Sequence, residues 1–178
     1  LIKNNATIAA ILKMYSLKSS AMFKITCLLA GIMLDYSNDM LNALEQYAEH
    51  LGISFQIMDD LLDVYGDAQT LGKNTSQDKN MDKCNIVALK GVSEAKKLLL
   101  LHTNKAKDNI AYMKEIYENR ILYQSDIATK DDRNPRQNNS NDSQGNHSCN
   151  YSEKNKAVFY NMLDNLNDII EFNSSRRH

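Results

Sequence analysis

Apolar residues along this chain recur at spacings of three and four rather than alternating with polar ones, a pattern that predicts helices and no strands. A first helix or helix pair covers about residues 5–33, with Ile8, Ile11, Leu12, Tyr15, Met22 and Phe23 on its apolar side. Asp35 to Asn38 reads as a short polar break. Residues 39–65 read as one long helix, led by Met40, Leu44, Tyr47, Ala48 and Leu51, with Gly66–Asp67 as its stop signal. The polar stretch 66–84 holds glycines and lysines and reads as a loop. A further helix is expected from about 85 to 118, where Ser93 can serve as a local cap ahead of a leucine run. Residues 122–155 shift to Asn and Ser with few large apolar side chains. Such a segment buries too little surface to offset its ordering entropy and is expected to be a disordered insertion. Order is expected to return over 156–178, where Val158, Met162, Leu166, Ile169 and Ile170 form an amphipathic stripe. The chain therefore divides into a helical body at 1–121, an insertion at 122–155 and a helix at 156–178 that returns to the same body.

Composition narrows the classes. The 178 residues are 43% hydrophobic and 24% charged, with a net charge of −1, so no strong field draws the chain to nucleic acid or to a membrane surface. No uninterrupted apolar run reaches the roughly 18–20 residues a transmembrane segment needs. Cys27, Cys84 and Cys149 form no CxxC pair, and an odd number fits a disulfide framework poorly, which favours a reducing compartment. These cysteines and His50, His102, His147 and His178 show no ligand spacing for zinc. Leu1 opens directly into a helical pattern, with no targeting peptide before it, so localisation is left open.

The chemistry concentrates in FQIMDDLLDVYGD, residues 55–67. On a helix, Asp59 and Asp63 stack on one face, and Asp60 lies on the flank near Gln56. Bare carboxylates this close would destabilise the helix or force a proton onto one of them. A divalent cation relieves the repulsion. Mg²⁺ prefers hard oxygen ligands and binds through one or two carboxylates plus substrate phosphate. A solvated acidic face is the plain alternative, but Phe55, Ile57, Met58, Leu61, Leu62 and Val64 leave little room for one. Lys18, Lys73 and Lys83 are compact charges suited to phosphate.

Residues 52–78, GISFQIMDDLLDVYGDAQTLGKNTSQD, resemble the second aspartate-rich motif of the trans-type isoprenyl diphosphate synthases: Phe-Gln, then DDxxD, then Gly-Lys and a later Asp. LKSSAMFK resembles the family's Lys-Thr motif, with Ser19 keeping the hydroxyl. LKGVSEAKKL resembles the segment that follows the second lysine in bacterial and plastid short-chain members. The resemblance covers about 5–118 and the last helix with its terminal arginine. It implies an all-α antiparallel helical bundle and a reaction that extends an allylic diphosphate with isopentenyl diphosphate, aided by Mg²⁺ with Mn²⁺ as the alternative. It implies Asp59 as the principal metal ligand, with Asp60 and Asp63 supporting the metals and their water shell. Lys18 and Lys73 would grip the allylic diphosphate, and Lys83 would lie near it. Ser19 and Gln56 would turn their oxygens toward the developing cation, and Phe55 would border the isopentenyl diphosphate pocket. The family forms homodimers and in some cases heteromers, and residues 5–33 carry apolar surface that such an interface, or the rest of a longer fold, would cover.

Three departures qualify this picture. The family's first DDxxD with two following arginines has no counterpart, because DYSND at 35–39 has the wrong spacing. The chain starts where the family's second half starts, so a piece of a longer protein, inactive alone, is expected. Lys83-Cys84-Asn85 replaces the usual Lys-Thr, and the Asn-rich insertion should loop away from the site. The favoured product is a C15 or C20 prenyl diphosphate. A long-chain polyprenyl synthase for quinone side chains and a non-catalytic partner subunit are the alternatives.

Overall fold

A computed structural model describes residues 7–71, 85–131 and 147–176. All the secondary structure there is helical. Helix α1 is Ile8–Tyr15; a π-helical turn, Ser16–Ser20, joins it to α2, Ala21–Met33. Helix α3 is Asn38–Leu71, α4 is Ile86–Asp131 and α5 is His147–Ser175. Thr7 caps α1, its Oγ1 accepting from the Ala10 amide. The polar break after α2 is a Schellman turn: Tyr36 N–H donates to Gly31 O and Asp35 N–H to Ile32 O. It puts Asp35 at φ 52°, a left-handed conformation that Asp tolerates better than most residues.

The helices run up and down in turn. Contacts pair Tyr15 with Asp60, Ser20 with Glu49 and Lys24 with Glu45, so α1 and α2 are antiparallel to α3. On α3 and α4, His50 meets His102. On α4 and α5, Tyr117 stacks on Phe159 and Lys107 pairs with Glu171, which makes those neighbours antiparallel too. Two apolar clusters fill the bundle. One joins Met40, Leu44, Tyr47 and Leu51 to Ala106, Met113, Phe159, Leu163 and Ile170. The other joins Ile11, Tyr15, Ile53, Ile57 and Leu61 to Ile86 and Ala95.

Several boundaries differ from the sequence reading. Helix α3 runs through Gly66–Asp67 to Leu71, because one glycine inside a helix costs only about 1 kcal/mol relative to Ala. Helical backbone covers 122–131 and 147–155, within the segment expected as a disordered insertion. Asn and Ser each lower helix propensity by only about half a kcal/mol, and α4 and α5 continue into them. The remainder of that insertion, 132–146, lies outside the described residues. The start of α4 is capped by Asn85, whose side-chain oxygen accepts from the Ala88 amide. Near Ser93 the helix is instead broken, at Gly91, where φ is 81°. Met22, expected on the apolar side, is exposed, while Phe23 packs inward. The wider π turn rotates the face of the helix that follows it. The run Ile8–Met33 forms one continuous helical stretch, long and apolar enough by length and composition to cross a membrane. Its polar contacts with α3 are those of a bundle helix: Ser20 with Glu49 O, and Lys24 with Glu45 and Glu49.

Candidate functional site

The middle of α3 is buried on most sides yet carries polar groups: Ser54, Gln56 and Asp60 are all buried among Ile53, Ile57 and Leu61. A polar atom in such a place needs a partner. Ser19 Oγ–H donates to Gln56 Oε1 at 3.0 Å. Tyr15 O–H donates to Asp60 Oδ2, and the same phenol oxygen accepts from the Ile86 amide at 3.0 Å. The Tyr15 hydroxyl thus ties α1, α3 and the start of α4 together. Burial pushes the Asp60 carboxyl above its ordinary range, while hydrogen bonds from Tyr15 and Gln56 pull the other way.

The π turn sets this geometry. Gly52 lies where Ser20 crosses α3, and a Cβ there would sit 2.4 Å from Ser20 Cα, so only glycine allows the approach. Ser20 Oγ–H donates to Glu49 O at 2.8 Å and locks the crossing. Single π turns inside α-helices often mark functional positions, and this one carries Lys18 and Ser19. Ser19 meets Gln56, while Lys18 stays exposed.

On the other flank the end of α5 comes in. Arg176 Nη1 lies 2.9 Å from Asp59 Oδ1. Its Nη2 donates to Phe55 O at 3.2 Å and to Asn173 Oδ1 at 2.8 Å. The guanidinium carbon sits 4.3 Å above the Phe55 ring. Asn173, itself buried, donates to Ser54 Oγ. Ser19 and Gln56 thus meet on one flank of α3, while Asp59 and Phe55 share Arg176 on the other. Asp63 is exposed on the helix below Asp59, and Asp60 is turned inward to Tyr15. Lys73 and Lys83 lie outside the described residues. Two participants have no signal in the sequence pattern: Tyr15 marks only an apolar position, although a buried tyrosine always has a hydroxyl to place, and Arg176 marks only the end of the last helix.

Among the described residues no group of three or more His, Cys, Asp or Glu side chains could hold a metal ion. The demands of Mg²⁺ are smaller: one or two carboxylates, with water and phosphate completing the shell. Asp59 is part-exposed and already faces a cation, the Arg176 guanidinium, so its donor chemistry suits that role; Asp60, buried and hydrogen-bonded, is less accessible.

The sequence profile of the polyprenyl synthetase family matches residues 2–120, and the chain belongs to that family. It is 36% identical over 121 residues to a geranylgeranyl diphosphate synthase of Saccharolobus solfataricus, covering 64% of this chain and 36% of that protein. It is 43% identical over 63 residues to a farnesyl diphosphate synthase of Escherichia coli, covering 35% and 21%. It is 36% identical over 98 residues to a short chain isoprenyl diphosphate synthase of Methanocaldococcus jannaschii, covering 53% and 30%. The chain spans about a third or less of the length of these relatives. No solved structure matches the chain significantly. The family's fold is the all-α isoprenoid synthase bundle, and its members generally depend on divalent metal.

Proposed function

We propose that these residues furnish the second aspartate-rich side of a prenyl diphosphate synthase, which condenses isopentenyl diphosphate with an allylic diphosphate to a trans C15 or C20 product. The observation that carries the reading is that one stretch of α3, Phe55 to Asp59, is engaged from both flanks, Gln56 by Ser19 and Asp59 and Phe55 by Arg176, in a chain of this family. Asp59 would hold Mg²⁺, with Mn²⁺ as the alternative, and Asp63 would reach the same shell from one turn away. The ion would supply positive charge against the departing diphosphate. Lys18, exposed beside that stretch, would bind diphosphate oxygens, with Lys73 and Lys83 adding charge. Ser19 and Gln56 would present oxygen dipoles to the cation that forms as the diphosphate leaves, a preorganised electrostatic role. Asp60, paired with Tyr15, would fix the rotation of α3 that aims Asp59. The sequence holds one DDxxD, so a second acidic motif must come from elsewhere, and the 178 residues alone are expected to show no elongation. We also propose self-association as a homodimer, or pairing with a related subunit, through the exposed apolar side of the π turn and α2, which carries Leu17, Met22, Ile25, Leu29 and Ile32. The test is binding of a bisphosphonate in Mg²⁺ and in EDTA. Binding that needs Mg²⁺ supports the synthase reading; no metal-dependent binding favours a non-catalytic partner subunit.

A further inference from the structure

We propose that Arg176 is a built-in occupant of the Asp59 cation position, so that divalent-metal binding and docking of the C-terminal end of α5 oppose each other. This rests on the reading of Asp59 as a metal-carrying carboxylate.

Arg176 is held on every side. Besides the 2.9 Å ion pair to Asp59 Oδ1, it donates to Phe55 O and Asn173 Oδ1 and lies over the Phe55 ring. Asn173 is itself fixed to Ser54 Oγ, so the latch is rooted in the core of α3. Side-chain exposure is 19% for Arg176 and 37% for Asp59, so water screens the pair only in part. The Arg176 Nε is buried with no hydrogen-bond partner among the described residues, so there the docked pose leaves one donor unsatisfied. A divalent ion binds a carboxylate oxygen at about 2.0–2.1 Å. With the guanidinium already on that carboxylate, the two cations repel, and Arg176 must withdraw for the ion to be held well. Withdrawal removes the ring contact and the Asn173 bond, which frees the last turn of α5. Coupling of this kind is reciprocal: whatever docking costs the metal, the metal costs docking.

The experiment titrates Mn²⁺, followed by electron paramagnetic resonance, into the wild-type chain, Arg176→Gln, Arg176→Lys and Asp59→Asn. It also follows amide hydrogen exchange in the last turn of α5 of the wild type with and without saturating Mn²⁺. Removing a partly buried competitor should tighten Mn²⁺ binding in Arg176→Gln by on the order of threefold to tenfold, with Arg176→Lys between the two. In the wild type, Mn²⁺ should speed exchange around Asn173. Equal or weaker binding in Arg176→Gln, with binding still lost in Asp59→Asn, overturns the latch and leaves the Asp59 reading standing. If neither the wild type nor Arg176→Gln binds Mn²⁺, the Asp59 reading falls and the latch with it. Should Arg176→Gln not fold, the wild-type exchange decides: unchanged or slowed exchange on adding Mn²⁺ overturns the proposal.

Discussion

The two ends of α3 are built differently. Toward its N-terminal end, Met40, Leu44 and Tyr47 meet Met113, Phe159 and Leu163 in a seam of apolar and aromatic contacts, with Tyr117 stacked on Phe159 at 3.8 Å between ring centroids. The buried Tyr47 hydroxyl there donates to Leu166 O. Toward the other end, Ile53, Ile57 and Leu61 are interleaved with Ser54, Gln56 and Asp60, each tied to a neighbouring element. A chain needing only a stable bundle could repeat the first arrangement throughout. Buried polar groups cost free energy unless fully paired, so their concentration at one end marks where orientation matters more than stability.

The comparison is tested most severely at the apolar end. Phe159→Ala removes a ring that is 3% exposed and should cost about 3–5 kcal/mol in urea unfolding. Mg²⁺-dependent ligand binding should be preserved under conditions where the variant is still folded. Lost binding in a folded variant would show that the two ends are not separable.

Between the ends lies the His50–His102 pair, Nδ1 to Nδ1 at 3.1 Å, which requires one ring to donate and the other to accept. Burial, then the positive charge of His50 and Lys105, lowers His102 to about 4, with Glu49 opposing. His50 is lowered by burial and Lys105, again against Glu49. Unfolded histidine titrates near its ordinary value of 6.5. The folded value is therefore depressed: the contribution is complete above that pH and is lost as pH falls from there toward 4. Unfolding free energy should drop by up to about 3 kcal/mol over this window, and His102→Gln should flatten the profile. A profile unchanged by that substitution would remove the pair from the account.

At the polar end, Gly52→Ala places a Cβ against Ser20 backbone, which cannot swing aside as a side chain would. A cost of about 1–3 kcal/mol in thermal unfolding is expected, together with weaker ligand binding, because the π turn carrying Lys18 and Ser19 is pushed off α3. The smallest effect belongs to the surface pair Lys107–Glu171, where Lys107→Ala should cost less than about 1 kcal/mol and leave binding untouched.

The helical bundle was legible because period and burial agree: Met40, Leu44, Tyr47, Ala48 and Leu51, picked from spacing alone, are all in the core. The acidic helix was legible because a dense motif spans it, but the hydrogen bond from Ser19 to Gln56 needed the structure. Less was readable where helix ends are decided by small propensity differences, as at Gly66–Asp67 and on both sides of the Asn-rich segment. The rotation of Met22 outward needed the π turn, which no local pattern announces. Spacing sets Asp60 on a flank apart from Asp59 and Asp63, but its inward hydrogen bond depends on Tyr15, distant in sequence.

The central claim is that the Asp59 face binds a diphosphate through a divalent ion. Calorimetric titration of farnesyl diphosphate into the wild-type chain and Asp59→Ala, each with Mg²⁺ and with EDTA, tests it directly. The account predicts binding only for the wild type in Mg²⁺. Binding of equal strength in EDTA, or in Asp59→Ala, would contradict it.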